Sequence, residues 1–326
     1  MKGTMGAEQD QVAAMLRSAE QVAVIGHERP DGDAVGSLLS LTLSLTMAGK
    51  EVVPVLCDGV PSRFNFLPGS ARVKHHLPSD YDLLIAVDSS DLERLGLQPG
   101  EIPQAVDLNI DHHPTNTRFG RINLIEDERA STTEILHAWL PRWGLPINAE
   151  VATCLLTGLV TDTIGFRTPS VSAGVLKAAA DLVEQGADLP EIYDRSLGRN
   201  SIEGLRYWGR GLSTLSTAEG VIWSSLSLED RAAAEYPGPD DADLINVLTT
   251  ADDYQVALVF VEQAREKVKI SWRSRPGVDV AHIATSFGGG GHQRAAGALV
   301  EGTLKDVVER VLQATMKEIQ AQKLEA

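Results

Sequence analysis

The sequence predicts an α/β fold in two domains: an N-terminal doubly wound, mainly parallel sheet and a smaller C-terminal α/β domain, with a cleft between them. In the first half, short apolar runs alternate with helical patterns, as in strand–helix–strand units. Beyond about residue 215 the pattern changes, and further strand-like runs and helices indicate a second unit. At 326 residues the chain exceeds one typical core and suits two.

This change of pattern sets the predicted domain boundaries. We expect an N-terminal domain over residues 1–190, a helical linker over 191–215 and a second domain over 216–326. In open parallel sheets, ligands bind beyond the carboxyl ends of the strands, so functional side chains are expected there.

The N-terminal domain is predicted to contain four strands and four helices. Gly49 and Gly186 end two of the helices, and Ser131 and Glu134 have the spacing of a capping box that opens another. The predicted strands cover residues 22–25, 51–56, 82–87 and 105–110, and the predicted helices cover residues 37–48, 131–143, 151–163 and 171–185.

The C-terminal domain is predicted to mix strands and helices. Trp272 lies on the opposite face of its strand from Arg273, which places Trp272 in the predicted core. The acidic stretch 239–243 is interpreted as a solvated loop that leads into a helix. The predicted strands cover residues 221–226, 255–261 and 268–272, and the predicted helices lie near 243–250, 279–286 and 304–320.

The composition excludes some classes of protein. A net charge of −16 leaves no basic surface to follow long duplex nucleic acid, so a nucleic-acid substrate should be small and held locally. The longest apolar stretches are too short to span a bilayer, and the first ten residues contain no apolar signal core. We therefore expect a cytoplasmic protein with no membrane partner. Cys57 and Cys154 lie in apolar runs and are predicted to be buried, reduced thiols.

Four groups of acidic and histidine residues occur where predicted strands or helices end. Taken singly, each has an ordinary explanation, such as a surface turn, a helix cap or a hydrogen-bonded loop histidine. Together they occupy the positions where an open α/β sheet gathers its ligands. Several lie in apolar surroundings, where a carboxylate is costly unless it is paired or binds a metal. The groups are His27, Asp31 and Asp33; Asp88; Asp111, His112 and His113; and Asp162.

The residue types of these groups indicate the kind of metal. Carboxylate and imidazole ligands suit Mn²⁺ better than structural Zn²⁺, which favours thiolates, and both cysteines lie outside the groups. His75 and His76 have no acidic cluster nearby and are expected to be exposed to solvent.

A glycine-rich segment, FGGGGHQRAAG, lies between a predicted helix and a predicted strand of the C-terminal domain. Glycine lets backbone N–H groups approach an anion closely, and His292 and Arg294 would add charge-assisted bonds to phosphate. Arg273 ends the preceding strand, where it would hold a phosphate or stack on a base; a solvated strand end is the alternative. The glycines predicted to bind the ligand are Gly288, Gly289, Gly290 and Gly291.

Five motifs resemble, in order, those of the DHH phosphoesterase superfamily. HERPDGDAVGS, VDSSDLERLG, the Asp-His-His triplet at 111–113 and LVTDTIGF are similar to its N-terminal motifs, and FGGGGHQRAAG, preceded by VKISWRS, resembles the DHH-associated C-terminal domain. The match covers nearly the whole chain, whose length is similar to that of the nanoRNase group of bifunctional oligoribonucleases and 3′-phosphoadenosine 5′-phosphate (pAp) phosphatases. One departure is Ile164, where many relatives have glycine.

The resemblance implies that the N-terminal domain is the catalytic domain. It also implies two Mn²⁺ sites in that domain, which share Asp88 as a ligand. The implied ligands are His27, Asp31 and Asp88 for one ion and Asp33, Asp88, His112 and Asp162 for the other.

The resemblance also implies roles for residues that do not bind the metals. Asp111 would orient the imidazole of His112, and His113 would lie near the scissile phosphate. Arg273 and His292 would reach the terminal phosphate or base of the substrate.

The activity implied by the resemblance is Mn²⁺-dependent hydrolysis of oligoribonucleotides of about two to five residues to 5′-mononucleotides. Removal of the 3′-phosphate of pAp is implied as a second reaction. A phosphodiesterase acting on cyclic di-AMP or pApA is an alternative, because the two-metal chemistry is the same. A nucleotide-binding protein without catalysis is a further alternative. Each of these proteins could form a homodimer.

Overall fold

The computed structural model describes residues 11–98, 100 and 105–325; the first ten residues, on which the expected lack of a signal segment rests, lie outside this range. The chain divides into two units, Met1–Arg199 and Asn200–Ala326, at a point inside the predicted linker. Within the described part of the chain, no helix combines the length and the apolar character that crossing a membrane requires.

The first unit is built on β1 (Gln21–Ile25), β2 (Glu51–Val55), β3 (Leu83–Val87), β4 (Val106–Asp111) and β5 (Gly120–Ile125). These strands form one parallel sheet in the order β2-β1-β3-β4-β5, which confirms the predicted fold. The chain continues from β1 to β2 on one side and to β3 on the other, so the exit of β1 is a topological switch point. The sequence does not predict β5, because this edge strand lacks the fully buried apolar run that marks β3.

The helices of the first unit lie at α1 (Gly32–Met47), α2 (Thr132–Trp139), α3 (Ala149–Asp162), α4 (Ala173–Glu184) and α5 (Leu189–Tyr193), with a π-helical turn at Asp194–Gly198. Residues 11–18 are also helical. Short 3₁₀ turns lie at Ser62–Phe64, Ser70–Arg72, Glu93–Leu95 and Pro141–Trp143.

Helix α1 begins at Gly32 rather than at Ser37 as predicted. Asp31 caps it by accepting from backbone N–H groups of the first turn, so the Pro-Asp-Gly sequence starts a helix. A Cβ on Gly32 would collide with the side chain of Thr161, so this glycine lets α1 approach α3 closely. The contact between these two helices brings their ends together at the sheet edge.

Helix α2 is shorter than predicted. It ends at Trp139, because Pro141 begins a 3₁₀ turn. Ser131 caps the helix by accepting from the N–H of Glu134, but the Glu134 carboxylate accepts from Ala130 instead of Ser131. The predicted capping box is therefore only half formed.

The second unit contains β6 (Ser216–Ala218), β7 (Val221–Leu226), β8 (Val256–Ala264), β9 (Lys267–Ser274), β10 (Gly290–His292) and β11 (Ala295–Glu301). They form a mixed sheet in the order β10-β11-β9-β8-β7-β6, in which β7 and β8 pair in parallel. Its helices are α6 (Ile202–Ser213), α7 (Leu228–Ala234), α8 (Leu244–Leu248), α9 (Val280–Ser286) and α10 (Leu304–Glu325).

The core of the second unit confirms one prediction and corrects another. Trp272 is fully buried, and its indole N–H donates to the Thr315 hydroxyl. Asp241 is also buried and accepts a hydrogen bond from the N–H of Ile245, so the acidic stretch is not wholly solvated as predicted. The carboxylate serves the start of α8, a role that its charge alone does not reveal.

The burial of the two cysteines and of the pair His75 and His76 can be compared with the predictions. Cys154 is buried as predicted, whereas Cys57 is only half-buried, because it lies in the loop after β2, where its thiol donates to the carbonyl oxygen of Leu95. His75 and His76 are exposed, as predicted.

Candidate metal centre

The four sequence groups lie around the carboxyl edge of the five-stranded sheet. Because these strands are parallel, their exits share one edge. His27 follows β1, Asp88 follows β3, Asp111, His112 and His113 end or follow β4, Asp31 and Asp33 open α1, and Asp162 ends α3. The fold thus brings together side chains that are far apart in sequence.

His27, Asp31 and Asp88 form one cluster of potential metal ligands. Nε2 of His27 lies 3.9 Å from Oδ1 of Asp31 and 3.6 Å from Oδ2 of Asp88. Nδ1 of the same ring lies 2.7 Å from the carbonyl oxygen of Glu28. A carbonyl only accepts, so Nδ1 carries a proton, and Nε2 is the nitrogen available to a cation.

Asp33, His112 and Asp162 form a second cluster, which also reaches Asp88. Nε2 of His112 lies 4.0 Å from Oδ2 of Asp33, 3.8 Å from Oδ1 of Asp88 and 3.7 Å from Oδ2 of Asp162. Asp88 turns Oδ1 toward this cluster and Oδ2 toward His27. One carboxylate therefore belongs to both clusters.

Asp111 has a different partner from the predicted one. Its Oδ1 lies 2.7 Å from Nδ1 of His113 and accepts from the backbone N–H of His112. The predicted bond to the His112 imidazole is wrong, because Nδ1 of that ring faces the carbonyl oxygen of Arg129 at 3.3 Å. Asn116 donates to the second oxygen of Asp111 at 2.6 Å. Asp111 therefore fixes the ring of His113.

The first residues of α2 hold two of the carboxylates. The backbone N–H groups of Thr132 and Thr133 donate to Asp33 at 2.6 and 3.0 Å, and the Thr133 hydroxyl donates at 2.7 Å. The Thr132 hydroxyl donates to Oδ1 of Asp88 at 2.9 Å. A helix N-terminus favours a carboxylate because its N–H groups lack helical partners. The sequence shows this helix start but not its contacts.

Asp88 has an unusual backbone conformation at the shared position. Its φ is 55°, in the left-handed region that residues other than glycine adopt rarely. Its N–H donates to the carbonyl oxygen of Ile110, which ties the residue to β4. Such conformations cluster at functional sites, where surrounding contacts hold them.

Two carboxyl groups of the centre are in environments that disfavour their charge. Burial raises the pKa of Asp33 well above its usual value, and the negative charge of Asp88 raises it further. Burial also raises the pKa of Asp162, together with repulsion from Asp31 and Asp88. Asp162 ends α3, where the helix dipole opposes a negative charge. A cation among these groups would offset the cost of burial, the repulsion between the carboxylates and the unfavourable helix dipole.

Histidines supply the balancing charge. Burial tends to lower the pKa of His27, but the neighbouring carboxylates of Asp31 and Asp88 outweigh burial and raise the pKa to about 10. The pKa of His113 is likewise raised to about 9, since its acidic neighbours outweigh burial. At Asp88, burial is outweighed by His27 and His112, which hold the pKa of this carboxyl well below its usual value.

The donor set fits divalent cations. In each of three triplets, the carboxylate oxygens and imidazole nitrogens lie within 4.8 Å of one another. The third triplet consists of Asp88, His112 and His113. A divalent cation would balance the charge of the buried carboxylates, and oxygen with imidazole nitrogen suits Mn²⁺ and similar ions.

Ile164, the departure from the fourth motif, lies directly after this centre. It has a φ of 49°, and Gly165 has a φ of 66°. Ile164 adopts this left-handed conformation, which glycine would adopt without strain.

The glycine-rich segment forms a hairpin between β10 and β11. A Cβ on Gly289 would collide with the carbonyl oxygen of Gly297, and Gly291 has a φ of 144°, so backbone packing requires both glycines. Gly288 has a φ of 75°. Gly290 has open space where a Cβ would lie, so packing does not explain its lack of a side chain.

The other predicted substrate-binding residues lie at one end of this sheet. Arg273 pairs with Ala295, and His292 pairs with Ala295 from the other side. Arg273 is half-buried and donates to the carbonyl oxygen of Trp272, while Arg294 donates to that of Ser274. Both arginines keep further N–H groups for a ligand.

Comparisons with known proteins agree with this architecture. A model described as the DHH family N-terminal domain matches residues 21–159, and a DHHA1 domain model matches residues 238–321. The bifunctional oligoribonuclease and PAP phosphatase NrnA of Thermus thermophilus is 36% identical over 94% of this chain and 93% of its own length. The protein of the same name from Mycoplasma genitalium is 28% identical over 93% and 95%. The crystal structure of an exopolyphosphatase-related protein from Bacteroides fragilis has a TM-score of 0.90 at 26% identity, over 98% of both chains.

The parallel sheet, the carboxylates and histidines at its edge and these matches together define an enzyme that hydrolyses phosphate esters. The chain belongs to the DHH family, within its group of bifunctional oligoribonucleases and PAP phosphatases, and it carries the DHHA1 domain.

Proposed function

We propose that this enzyme hydrolyses oligoribonucleotides of about two to five residues to 5′-mononucleotides with Mn²⁺, and that it also removes the 3′-phosphate of pAp. The observation that carries the proposal is the pair of adjacent ligand clusters joined through Asp88. The relatives named above, which match nearly the whole chain, support the choice of substrate. We place the activity in the cytoplasm.

The two ligand clusters would each hold one cation. His27, Asp31 and Asp88 would bind one ion, and Asp33, Asp88, His112 and Asp162 the other. When bound, two such ions lower the pKa of water and neutralise charge on the attacking and leaving oxygens, so no protein nucleophile is required.

The remaining residues of the centre position these ligands and the substrate. Thr132 and Thr133 hold Asp33 and Asp88 before any cation binds, which lowers the reorganisation needed. His113, fixed by Asp111, would donate a hydrogen bond to a non-bridging oxygen of the scissile phosphate. Its raised pKa favours the protonated, donating ring.

The second unit would bind the far end of the substrate. Packing does not require glycine at position 290, because a Cβ there would have open space. The backbone of Gly290 would instead be free to approach a phosphate or base. Arg273, His292 and Arg294 lie at the same sheet end and would supply charged donors. The other glycines, Gly288, Gly289 and Gly291, would shape the loop. A net charge of −16 fits a short substrate better than a long duplex.

A product assay tests the proposal. The Mn²⁺-loaded enzyme would be given RNA of about two to five residues, pAp, pApA and cyclic di-AMP in parallel, with products separated by chromatography. We expect mononucleotides from short RNA at the highest rate and AMP from pAp at a lower one. Faster hydrolysis of cyclic di-AMP or pApA than of RNA would replace this proposal with a cyclic-dinucleotide phosphodiesterase. Binding of all four ligands without turnover would indicate a non-catalytic protein.

A further inference from the structure

The first unit contains a cavity of about 410 Å³ outside the ligand clusters. Its volume is in the range of small-ligand sites, about 300–1,000 Å³. None of the described residues that line it is acidic, and three are arginines, although the chain has a net charge of −16. The lining residues are Ser62, Arg63, Asn65, Phe66, Arg195 and Arg199.

The cavity lies between two segments that are connected to elements of the sheet edge at the metal centre. Its first wall, the turn Ser62–Phe64, belongs to the connection that leaves β2, and β2 is the neighbour of β1. Its second wall is the π-helical turn Asp194–Gly198. Tyr193 precedes this turn and packs against Gly165, which lies in the loop after Asp162. Both walls therefore extend from elements that also carry or flank the centre.

Arg195 is held at the cavity by contacts with Phe66 and Glu191. Its guanidinium lies over the ring of Phe66, 5.2 Å from the centroid, and its Nη2 lies 2.9 Å from Oε1 of Glu191. Its Nε is buried and has no hydrogen-bond partner among the described residues. A guanidinium has five N–H donors, so the ion pair with Glu191 leaves donors for a second oxyanion.

The backbone of the second wall is itself unusual. π-Helical turns are rare in proteins and occur frequently at functional sites. This turn carries Arg195, and Arg199 follows it directly. Asp194 fixes Arg199 by accepting from its Nε at 2.7 Å and its Nη2 at 2.5 Å. The irregular turn thus brings two guanidinium groups to one cavity.

We propose that this cavity binds a second phosphate of the substrate, an internucleotide or terminal phosphate other than the one that is cleaved. The inference rests on the proposed function, which supplies a substrate with several phosphates. Planar guanidinium groups match phosphate oxygens in charge and geometry, and Asn65 and Ser62 add neutral donors. The cavity would then favour RNA long enough to reach it.

Steady-state kinetics of the Mn²⁺-loaded enzyme test the inference. The variants are Arg195→Met and Arg63→Met, with Arg72→Met as the control, because Arg72 is an exposed arginine of the same connection outside the cavity. The substrates are RNA of about two to five residues and bis(4-nitrophenyl) phosphate, which has a single phosphate. We expect KM for the longer RNA to rise about tenfold in both cavity variants. Their kcat/KM for bis(4-nitrophenyl) phosphate should equal that of the wild type.

The outcomes separate the cavity from the proposed function. Equal KM values for the wild type and both cavity variants at every RNA length would overturn the inference, while turnover of RNA by the wild type would keep the proposed function. If the wild type does not cleave RNA, the proposed function fails, and calorimetric titration with pyrophosphate tests the cavity alone. Unchanged pyrophosphate affinity in the variants would then overturn the inference. Arg63 is exposed, so Arg63→Met keeps the test decisive if Arg195→Met fails to fold.

Discussion

The hydroxyl of Thr132 donates a 2.9 Å hydrogen bond to Oδ1 of Asp88, the carboxylate that both ligand clusters share. This bond joins the start of α2 to the exit of β3, between residues 44 positions apart in the chain. It orients Asp88 without help from a cation. The strength of metal binding should therefore depend on a residue that is not itself a ligand.

Thr132→Val removes this hydroxyl while keeping the shape of the side chain and the backbone N–H. We expect the affinity for Mn²⁺, measured by calorimetry, to fall at least about tenfold, as for other groups that orient metal ligands. Thr153→Val is the matched control, since Thr153 donates to Ala149 within α3. Equal losses in the two variants would show that the Thr132 bond has no specific role.

Gly158→Ala should damage both stability and the metal centre. A Cβ at this buried position of α3 would lie 2.7 Å from Oδ1 of Asp33. We expect the free energy of unfolding in urea to fall by about 1–3 kcal/mol, with weaker Mn²⁺ binding. Gly209→Ala in α6 is the control, because its Cβ has open space and alanine favours a helix by about 0.5–1 kcal/mol. A neutral effect of Gly158→Ala would contradict the close approach of α3 to Asp33.

Asp111→Asn should lower kcat more than it lowers metal affinity. Asp111 fixes the ring of His113, whereas its hydrogen bond with the ligand His112 comes from the backbone N–H of that residue. We expect kcat to fall about 10- to 100-fold. Calorimetry with Mn²⁺ provides the comparison, and a parallel loss of affinity would mean that Asp111 supports the ligands instead.

Removal of divalent cations should destabilise the first unit. Without them, Asp33, Asp88 and Asp162 repel one another in a buried setting. Saturation with Mn²⁺ at a hundred times its Kd should add about 2.7 kcal/mol to the stability, visible as a higher Tm. Asp33→Asn should lose most of this increase along with the activity. An equal rise in Tm for the wild type and Asp33→Asn would exclude Asp33 as a ligand.

Asp241 should make stability depend on pH. Burial raises the pKa of this carboxyl above its usual value, so the folded state binds its proton more tightly than the unfolded state does. Its contribution to stability is therefore present at low pH and is lost as the pH rises through the raised pKa. We expect Asp241→Asn to gain stability relative to the wild type between about pH 3 and pH 7 in urea unfolding. A difference that is the same at both pH values would contradict the burial of a charged carboxylate.

The parallel sheet and the places of the metal-ligand candidates could be predicted, because each depends on local patterns. An apolar run followed by an acid or histidine marks a strand exit, and topology alone gathers such exits at one edge. His27, Asp88 and His112 are found where this reasoning puts them. The same patterns place β7 at its observed bounds.

Contacts between distant segments could not be predicted. Thr133 reaches Asp33 across 100 residues, and no local pattern pairs them. The partner of Asp111 depends on which way two adjacent rings turn, which the order Asp-His-His leaves open. The predicted start of α1 at Ser37 is too late, because Pro-Asp-Gly suits a turn and a helix cap equally well.

The grip on Asp33 comes largely from main-chain N–H groups, which every residue except proline possesses. Substitutions at positions 132 and 133 would therefore keep these two main-chain bonds to Asp33, while they would lose the hydroxyl bonds from Thr132 to Asp88 and from Thr133 to Asp33. Searches that rely on invariant residues will overlook such a feature, and comparison of backbones will find it.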